Sequence, residues 1–125
     1  MNLLLVMAGG ALGAGARHLV GLASLRLLGP AFPWATLFVN IVGSGLMGVL
    51  IGWLTRAEPA NAASLRLFLA TGVLGGFTTF STFSLDALTL WEAGRVAAAV
   101  TYVAASLALS LAGIAAGLWL MRILQ

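Results

Sequence analysis

The chain contains, between Arg66 and Asp86, the uncharged stretch Gly72-Val73-Leu74-Gly75-Gly76-Phe77-Thr78-Thr79-Phe80-Ser81-Thr82-Phe83-Ser84. The run that holds it is long enough to cross a bilayer as a helix, at ~1.5 Å per residue. Its middle is nevertheless a poor helix former, because paired glycines are followed by hydroxyl residues interleaved with phenylalanines. Backbone groups freed by a helix break are tolerated at membrane depth only where protein or a water-filled path satisfies them. We therefore expect a broken membrane helix beside a site for something small and polar.

The composition indicates an integral membrane protein with a single domain. Of its 125 residues, 62% are hydrophobic and 7% are charged, against ~25% charged residues in an average soluble domain. A soluble fold of this size cannot hide so much apolar surface. The apolar N-terminus lacks the basic region of a signal peptide, so we interpret it as the first membrane span.

The charged residues argue against nucleic-acid binding and against an enzyme. The net charge of +3 comes from six arginines, which are spread along the chain without the basic patch that nucleic acid requires. The absence of cysteine excludes disulfides and Cys-based metal sites. One histidine and three acids leave almost no material for a carboxylate pair or a metal cluster, so we predict that the protein is not an enzyme.

Four hydrophobic segments predict an all-α fold with four transmembrane helices, the third of them broken. A tryptophan lies near an end of each segment, where the aromatic belt of a membrane protein lies. Glycines at four-residue spacing, such as Gly9 and Gly13 or Gly48 and Gly52, predict close helix packing. The predicted spans cover residues of about 3–28, 34–54, 63–91 and 96–121.

The arginines give only a weak preference for one orientation in the membrane. With four spans, one side holds Arg56, Arg122 and Arg66, and the other side holds Arg26 and Arg95. The positive-inside rule needs a larger difference, so we expect insertion in both orientations and an antiparallel homodimer about an axis in the membrane plane. Four helices are also too few to enclose a polar path comfortably, which favours a dimer as well. The alternative is one fixed topology in a protein of low charge.

Two polar residues lie inside the predicted spans. A charge at membrane depth is costly unless it is paired or hydrated, so Arg17 is a candidate for drawing anions into a water-filled vestibule. Snorkelling, or bonding to free carbonyls, is the alternative. An unpaired amide is costly there too. We therefore expect Asn40 to bond a neighbouring helix, a broken backbone or a permeant species.

Hydroxyl and aromatic side chains form two further patterns. Tyr102, Ser106 and Ser110 recur every four residues and share one helix face, as a polar lining does, although a serine hydroxyl can also bond its own helix. Phe80 and Phe83 lie three residues apart, and their ring edges carry partial positive charge; the alternative is simple packing.

The polar groups in the spans mostly donate hydrogen bonds, and the only acid near a span interior is Asp86, toward the end of the third. A cation path would instead be lined by carboxylates or by rings of carbonyls. The chemistry therefore indicates a small anion that accepts hydrogen bonds and passes through a narrow lining.

Three motifs resemble the dual-topology fluoride channels, a family called Fluc or CrcB, and the likeness extends over essentially the whole chain. The third motif, which contains the helix break, is the longest and most specific. The motifs are Gly9-Gly10-x-x-Gly13-Ala14-x-x-Arg17, Thr36-Leu37-x-Val39-Asn40-x-x-Gly43-Ser44, and Gly72-x-x-Gly75-Gly76-Phe77-Thr78-Thr79-Phe80-Ser81-Thr82-Phe83-Ser84.

The resemblance implies a fluoride-selective channel that exports fluoride passively, confers fluoride resistance and lies in the plasma (inner) membrane as a multi-pass protein. Two antiparallel subunits would form two fluoride pores at their interface. A structural sodium ion would bind backbone carbonyls of Gly75 and Thr78 from both subunits. Arg17 would lie near the vestibule. The implied pore residues are Thr36, Asn40, Phe80, Ser81, Thr82, Phe83, Tyr102, Ser106 and Ser110.

The chain departs from the family pattern at three positions. His18 replaces an aromatic residue, which we interpret as a packing variant and not as a pH switch. Ala35 replaces a common glycine. Asp86 replaces a common glutamate, which leaves the role of that acid open.

Two other classes of membrane protein fit the length and the span number. A small dual-topology multidrug exporter would need a mid-membrane carboxylate, usually in the first helix, where this chain has Arg17 and no acid before Glu58. A non-transporting assembly factor would have no use for a helix break lined by hydroxyl and phenylalanine side chains. Proton-independent fluoride flux would separate the channel from both.

Overall fold

The computed structural model describes residues 1–124, and within them the fold is all-α. Helix α1 covers Asn2–Leu28 and helix α2 covers Trp34–Ala57. The third span consists of α3 (Ala62–Leu65), a π-helix (Arg66–Leu74), α4 (Gly75–Phe77) and α5 (Phe80–Glu92), and α6 covers Val96–Ile123. Four helical stretches are long and apolar enough to cross a membrane, so the predicted four-span, multi-pass architecture is confirmed. The exact limits of the spans in the bilayer stay a prediction.

The third span is broken where the sequence predicted a break. After the paired glycines, the backbone of Thr78 (φ −85°, ψ 161°) and Thr79 (φ −155°, ψ 119°) is extended. Thr79 then caps the helix that follows, because its side-chain oxygen accepts a hydrogen bond from the Thr82 amide at 3.3 Å. The break is therefore a defined turn of the chain that begins a new helix.

Glycines let the helices pack backbone against backbone on both sides of the molecule. A Cβ atom on Gly9 of α1 would lie 2.9 Å from the Gly72 Cα of the π-helix. A Cβ atom on Gly48 of α2 would lie 3.1 Å from the Gly117 Cα of α6. Such approaches leave no room for any larger residue. Helix α1 thus packs closely on the π-helix of the broken span, and α2 packs closely on α6.

Helix α5 packs on α6 through a small buried cluster. Its members are Phe83 and Leu90 from α5 and Ala99 and Tyr102 from α6. Large apolar side chains elsewhere on the four long helices are mostly exposed, as expected where lipid is the solvent. The cluster keeps α5 at a fixed distance from α6 directly after the break.

Candidate functional site

The side-chain amide of Asn40 forms two hydrogen bonds with the broken backbone of the third span. Its Nδ2 donates to the Thr79 carbonyl at 3.1 Å, and the Thr79 amide donates to Asn40 Oδ1 at 2.8 Å. Of the three partners that the sequence left open for Asn40, the structure supplies the broken backbone. A side-chain amide nitrogen carries two hydrogens, so the second one stays available to a ligand.

A cavity of about 330 Å³ lies between the break, α2 and α6. Most of its wall is apolar, and the polar part consists of hydroxyl and amide groups. No acidic side chain lines it among the residues that the structure describes. It brings together five of the predicted pore residues, which are Asn40, Phe80, Phe83, Ser106 and Ser110. We call it the inner cavity.

Ser106 places an unpaired hydroxyl at this wall. The residue is only 5% exposed, and its Oγ has no hydrogen-bond partner within residues 1–124. Serine in a helix often donates to the carbonyl four residues earlier, but Ser106 does not. A buried hydroxyl without a partner costs free energy, and an anion in the inner cavity would remove that cost.

Tyr102 is fully buried, and its hydroxyl donates to Asp86 Oδ2 at 3.0 Å. Asp86 in turn lines a second cavity of about 490 Å³, which we call the outer cavity. It lies among the second half of α1, the α1–α2 connection, the start of α2 and the end of α5. Thr36, which is 8% exposed, also lines it. Tyr102 itself lines neither cavity and reaches the outer one through its bond to Asp86.

Two other predicted pore residues, Ser81 and Thr82, do not line the inner cavity of one protomer. The Ser81 Oγ is exposed and lies 3.4 Å from the Thr79 Oγ1. Thr82 is half-buried, and its amide is used in the cap of α5. The Phe80 side chain touches the cavity but is 75% exposed. Ser81 and Phe80 therefore face the outer surface of the protomer.

Arg17 bonds the break and lines neither cavity. Its Nε donates to the Gly76 carbonyl at 3.0 Å, in the last helical turn before the extended residues. The alternative of bonding to freed carbonyls is thus realised in this structure. The vestibule role implied by the resemblance stays a prediction.

The break also frees two backbone carbonyls. The amides of Thr79 and Thr82, which in an unbroken helix would bond the carbonyls of Gly75 and Thr78, instead bond the side chains of Asn40 and Thr79. Gly75 is exposed on the protomer surface. Free carbonyl oxygens are the ligands that hard cations prefer, so the two residues implied for sodium have the right chemistry.

Two residues of this region were not among the predicted site residues. Thr79 is the partner of Asn40 and the cap of α5, and its position three residues before Thr82 is the only local signal of that role. Phe32 lies in the connection after α1 and packs on the cluster around Tyr102. A Gly-Pro-rich segment predicts a turn and says nothing of where its aromatic ring points.

Comparison with known proteins agrees with the sequence motifs. The family model described as "CrcB-like protein, Camphor Resistance (CrcB)" matches residues 4–118. A protein of Mesorhizobium japonicum named "Fluoride-specific ion channel FluC" is 52% identical over 121 residues, which cover 97% of this chain and 96% of that protein. Proteins with the same name are 54% identical in Agrobacterium fabrum, over 98% of this chain and 97% of theirs, and in Cereibacter sphaeroides, over 97% and 94%.

Proposed function

Because this chain belongs to the CrcB family, we propose that it is a fluoride-selective ion channel that exports fluoride down its electrochemical gradient and confers fluoride resistance. The observation that carries the proposal is the inner cavity. Its lining, among the described residues, contains hydrogen-bond donors and no carboxylate. The relatives that the chain matches along nearly their whole length are named as fluoride-specific ion channels. A channel is no enzyme, as predicted from the lack of catalytic groups.

Fluoride is small and strongly hydrated, so a selective path must replace its water with hydrogen-bond donors. The second Nδ2 hydrogen of Asn40 and the unpaired hydroxyl of Ser106 are two such donors. The rings of Phe80 and Phe83, 5.6 Å apart, present positive edges and keep the path narrow. An interior-negative potential then drives the anion outward with ~2.3 kcal/mol per charge per 100 mV. No ATP-binding motif is needed for passive flow.

The functional unit is an antiparallel homodimer in the inner membrane. Within one protomer the exposed side of the break carries Gly75, Phe80 and Ser81. Free carbonyls and hydroxyls are unfavourable against lipid, so a second copy would cover this surface and complete the wall of the path. The weak charge asymmetry of the loops supports pairing of oppositely oriented copies. Arg17, Thr36, Ser81, Thr82, Tyr102 and Ser110 complete the proposed route.

A sodium ion would bind where the breaks of the two copies meet. The carbonyl oxygens of Gly75 and Thr78 would hold it, because the amides that normally occupy them are engaged elsewhere. A hard cation takes oxygen ligands, which these carbonyls supply without any acidic side chain. Bound there, the ion would bridge the free carbonyl oxygens of the two subunits.

Purified protein in proteoliposomes tests the proposal. Vesicles loaded with potassium fluoride and treated with valinomycin should release fluoride, measured with an ion-selective electrode, without any requirement for a proton gradient. Vesicles loaded with chloride should not release it at a comparable rate. Correctly assembled protein that releases no fluoride would contradict the proposal. So would protein that moves protons when a drug is added, as a multidrug exporter does, and releases fluoride only then.

A further inference from the structure

The two cavities are joined by a continuous series of aromatic rings. Phe83 and Phe80 line the inner cavity, and the Phe83 ring lies 5.3 Å from that of Tyr102. On its other side the Tyr102 ring meets Phe32, perpendicular to it and 5.5 Å away. Phe32 is followed by Trp34 at 4.7 Å. The aromatic wall of the proposed fluoride path thus continues beyond the break, as far as the α1–α2 connection.

Tyr102 contacts lining residues of both cavities, and Phe32 packs on it from the outer cavity. The tyrosine has no exposed surface and lines neither cavity, but it contacts Phe83 at the inner cavity of about 330 Å³ and Asp86 at the outer cavity of about 490 Å³. Phe83 covers it from the inner cavity, and Phe32, which lines the outer cavity, packs against it there. Without the Phe32 ring, the outer cavity would extend to Tyr102.

The position of Phe32 is fixed although it lies outside any helix. The Arg95 guanidinium, at the start of α6, donates to the carbonyl of the neighbouring Ala31. The Trp34 amide donates to the Phe32 carbonyl at 2.8 Å. Gly29, with φ of 76°, lets the chain turn out of α1 in a conformation that other residues rarely adopt. Backbone contacts before and after Phe32 therefore hold the ring against Tyr102.

We propose that Phe32 is a specificity-determining residue, which seals the outer end of the anion path and is held in place by Arg95. The inference rests on the proposed fluoride channel function. An apolar constriction excludes ions that stay hydrated, whereas fluoride leaves its water for the donors of the inner cavity, Asn40 and Ser106. Removal of the ring widens the route next to Tyr102 and admits water, and a hydrated chloride ion can follow.

Phe32→Ala tests this seal, with Phe38→Ala as the matched control because Phe38 lies on the exposed face of α2, 52% exposed. Fluoride and chloride efflux are measured in parallel from vesicles with equal amounts of protein. In Phe32→Ala the ratio of fluoride to chloride efflux should fall about tenfold, corresponding to ~1.4 kcal/mol, while Phe38→Ala keeps the wild-type ratio. Equal ratios in the two variants would overturn the proposal.

Arg95→Ala provides the second test if Phe32→Ala does not assemble, because Arg95 is exposed at the outer cavity and its guanidinium bonds the connection at Ala31. Its control is Arg26→Ala, which removes an exposed arginine from the last turn of α1. The ratio should fall in Arg95→Ala and stay unchanged in Arg26→Ala; an unchanged ratio in both overturns the role of the seal. Wild-type protein without fluoride efflux would instead refute the channel function itself, so the two failures are distinguishable.

Discussion

Phe80 and Phe83 lie three residues apart at the start of α5, but their surroundings differ sharply. Phe83 is 9% exposed and packs on Tyr102, whereas Phe80 is 75% exposed. The same contrast runs through the whole break. Asn40 and Arg17 form hydrogen bonds with its backbone inside the protomer, while Gly75 and Ser81 are exposed on the protomer surface. One protomer therefore completes the inner side of the path by itself and leaves the outer side for the proposed second copy.

Asn40→Asp should lower fluoride efflux the most, because Asn40 lies in the wall of the path that one protomer forms by itself. The carboxylate cannot donate to the Thr79 carbonyl, and it places a negative charge beside the anion path. Each unpaired buried group costs ~1–3 kcal/mol, so fluoride efflux should fall by about a hundredfold or more. The measurement is the efflux rate from vesicles that contain equal amounts of assembled protein.

The control for that prediction is Asn61→Asp, since Asn61 is exposed before α3 and its side chain makes no capping hydrogen bond. This variant makes the same chemical change and should conduct like the wild type. Wild-type flux in a folded Asn40→Asp variant would mean that the bonds to Thr79 are dispensable and that the path lies elsewhere.

Replacing each phenylalanine by isoleucine sharpens the comparison between the two sides. Phe83→Ile should lower both the thermal stability and the flux, because it removes buried ring contacts worth ~0.5–1.5 kcal/mol beyond their area. Phe80→Ile should leave the stability of the protomer nearly unchanged but slow fluoride efflux by about tenfold, as expected if its ring edge lines the path. Thermal unfolding in detergent and efflux are measured on both variants. An unchanged rate in Phe80→Ile would reduce that ring to a packing residue.

The elements of the fold could be predicted from the sequence, whereas the partners of the polar side chains could not. Four apolar segments and a Gly-Gly-Phe-Thr-Thr stretch are local signals, so the helices and the break between them were predictable. The partners of Asn40 and Arg17 are 39 and 59 residues away in the chain, and no local pattern identifies them. The resemblance predicted the wall residues as a set, but which of them meet within one protomer depends on the direction that α5 takes after Thr79.

Ser106→Ala should have the smallest effect and distinguishes a ligand-binding hydroxyl from a structural one. The Ser106 Oγ has no partner among the described residues, so its removal takes away a donor for the anion without breaking any bond in the fold. We expect fluoride efflux to fall about threefold, within the ~0.5–1.5 kcal/mol of one hydrogen bond, while the melting temperature stays the same or rises. Ser64→Ala, in the exposed α3, is the control for the chemical change and should alter neither. If the Ser106 hydroxyl instead formed a hydrogen bond within the protein, fluoride efflux and the melting temperature would fall together. The inner cavity would then be a packing defect and not a binding site.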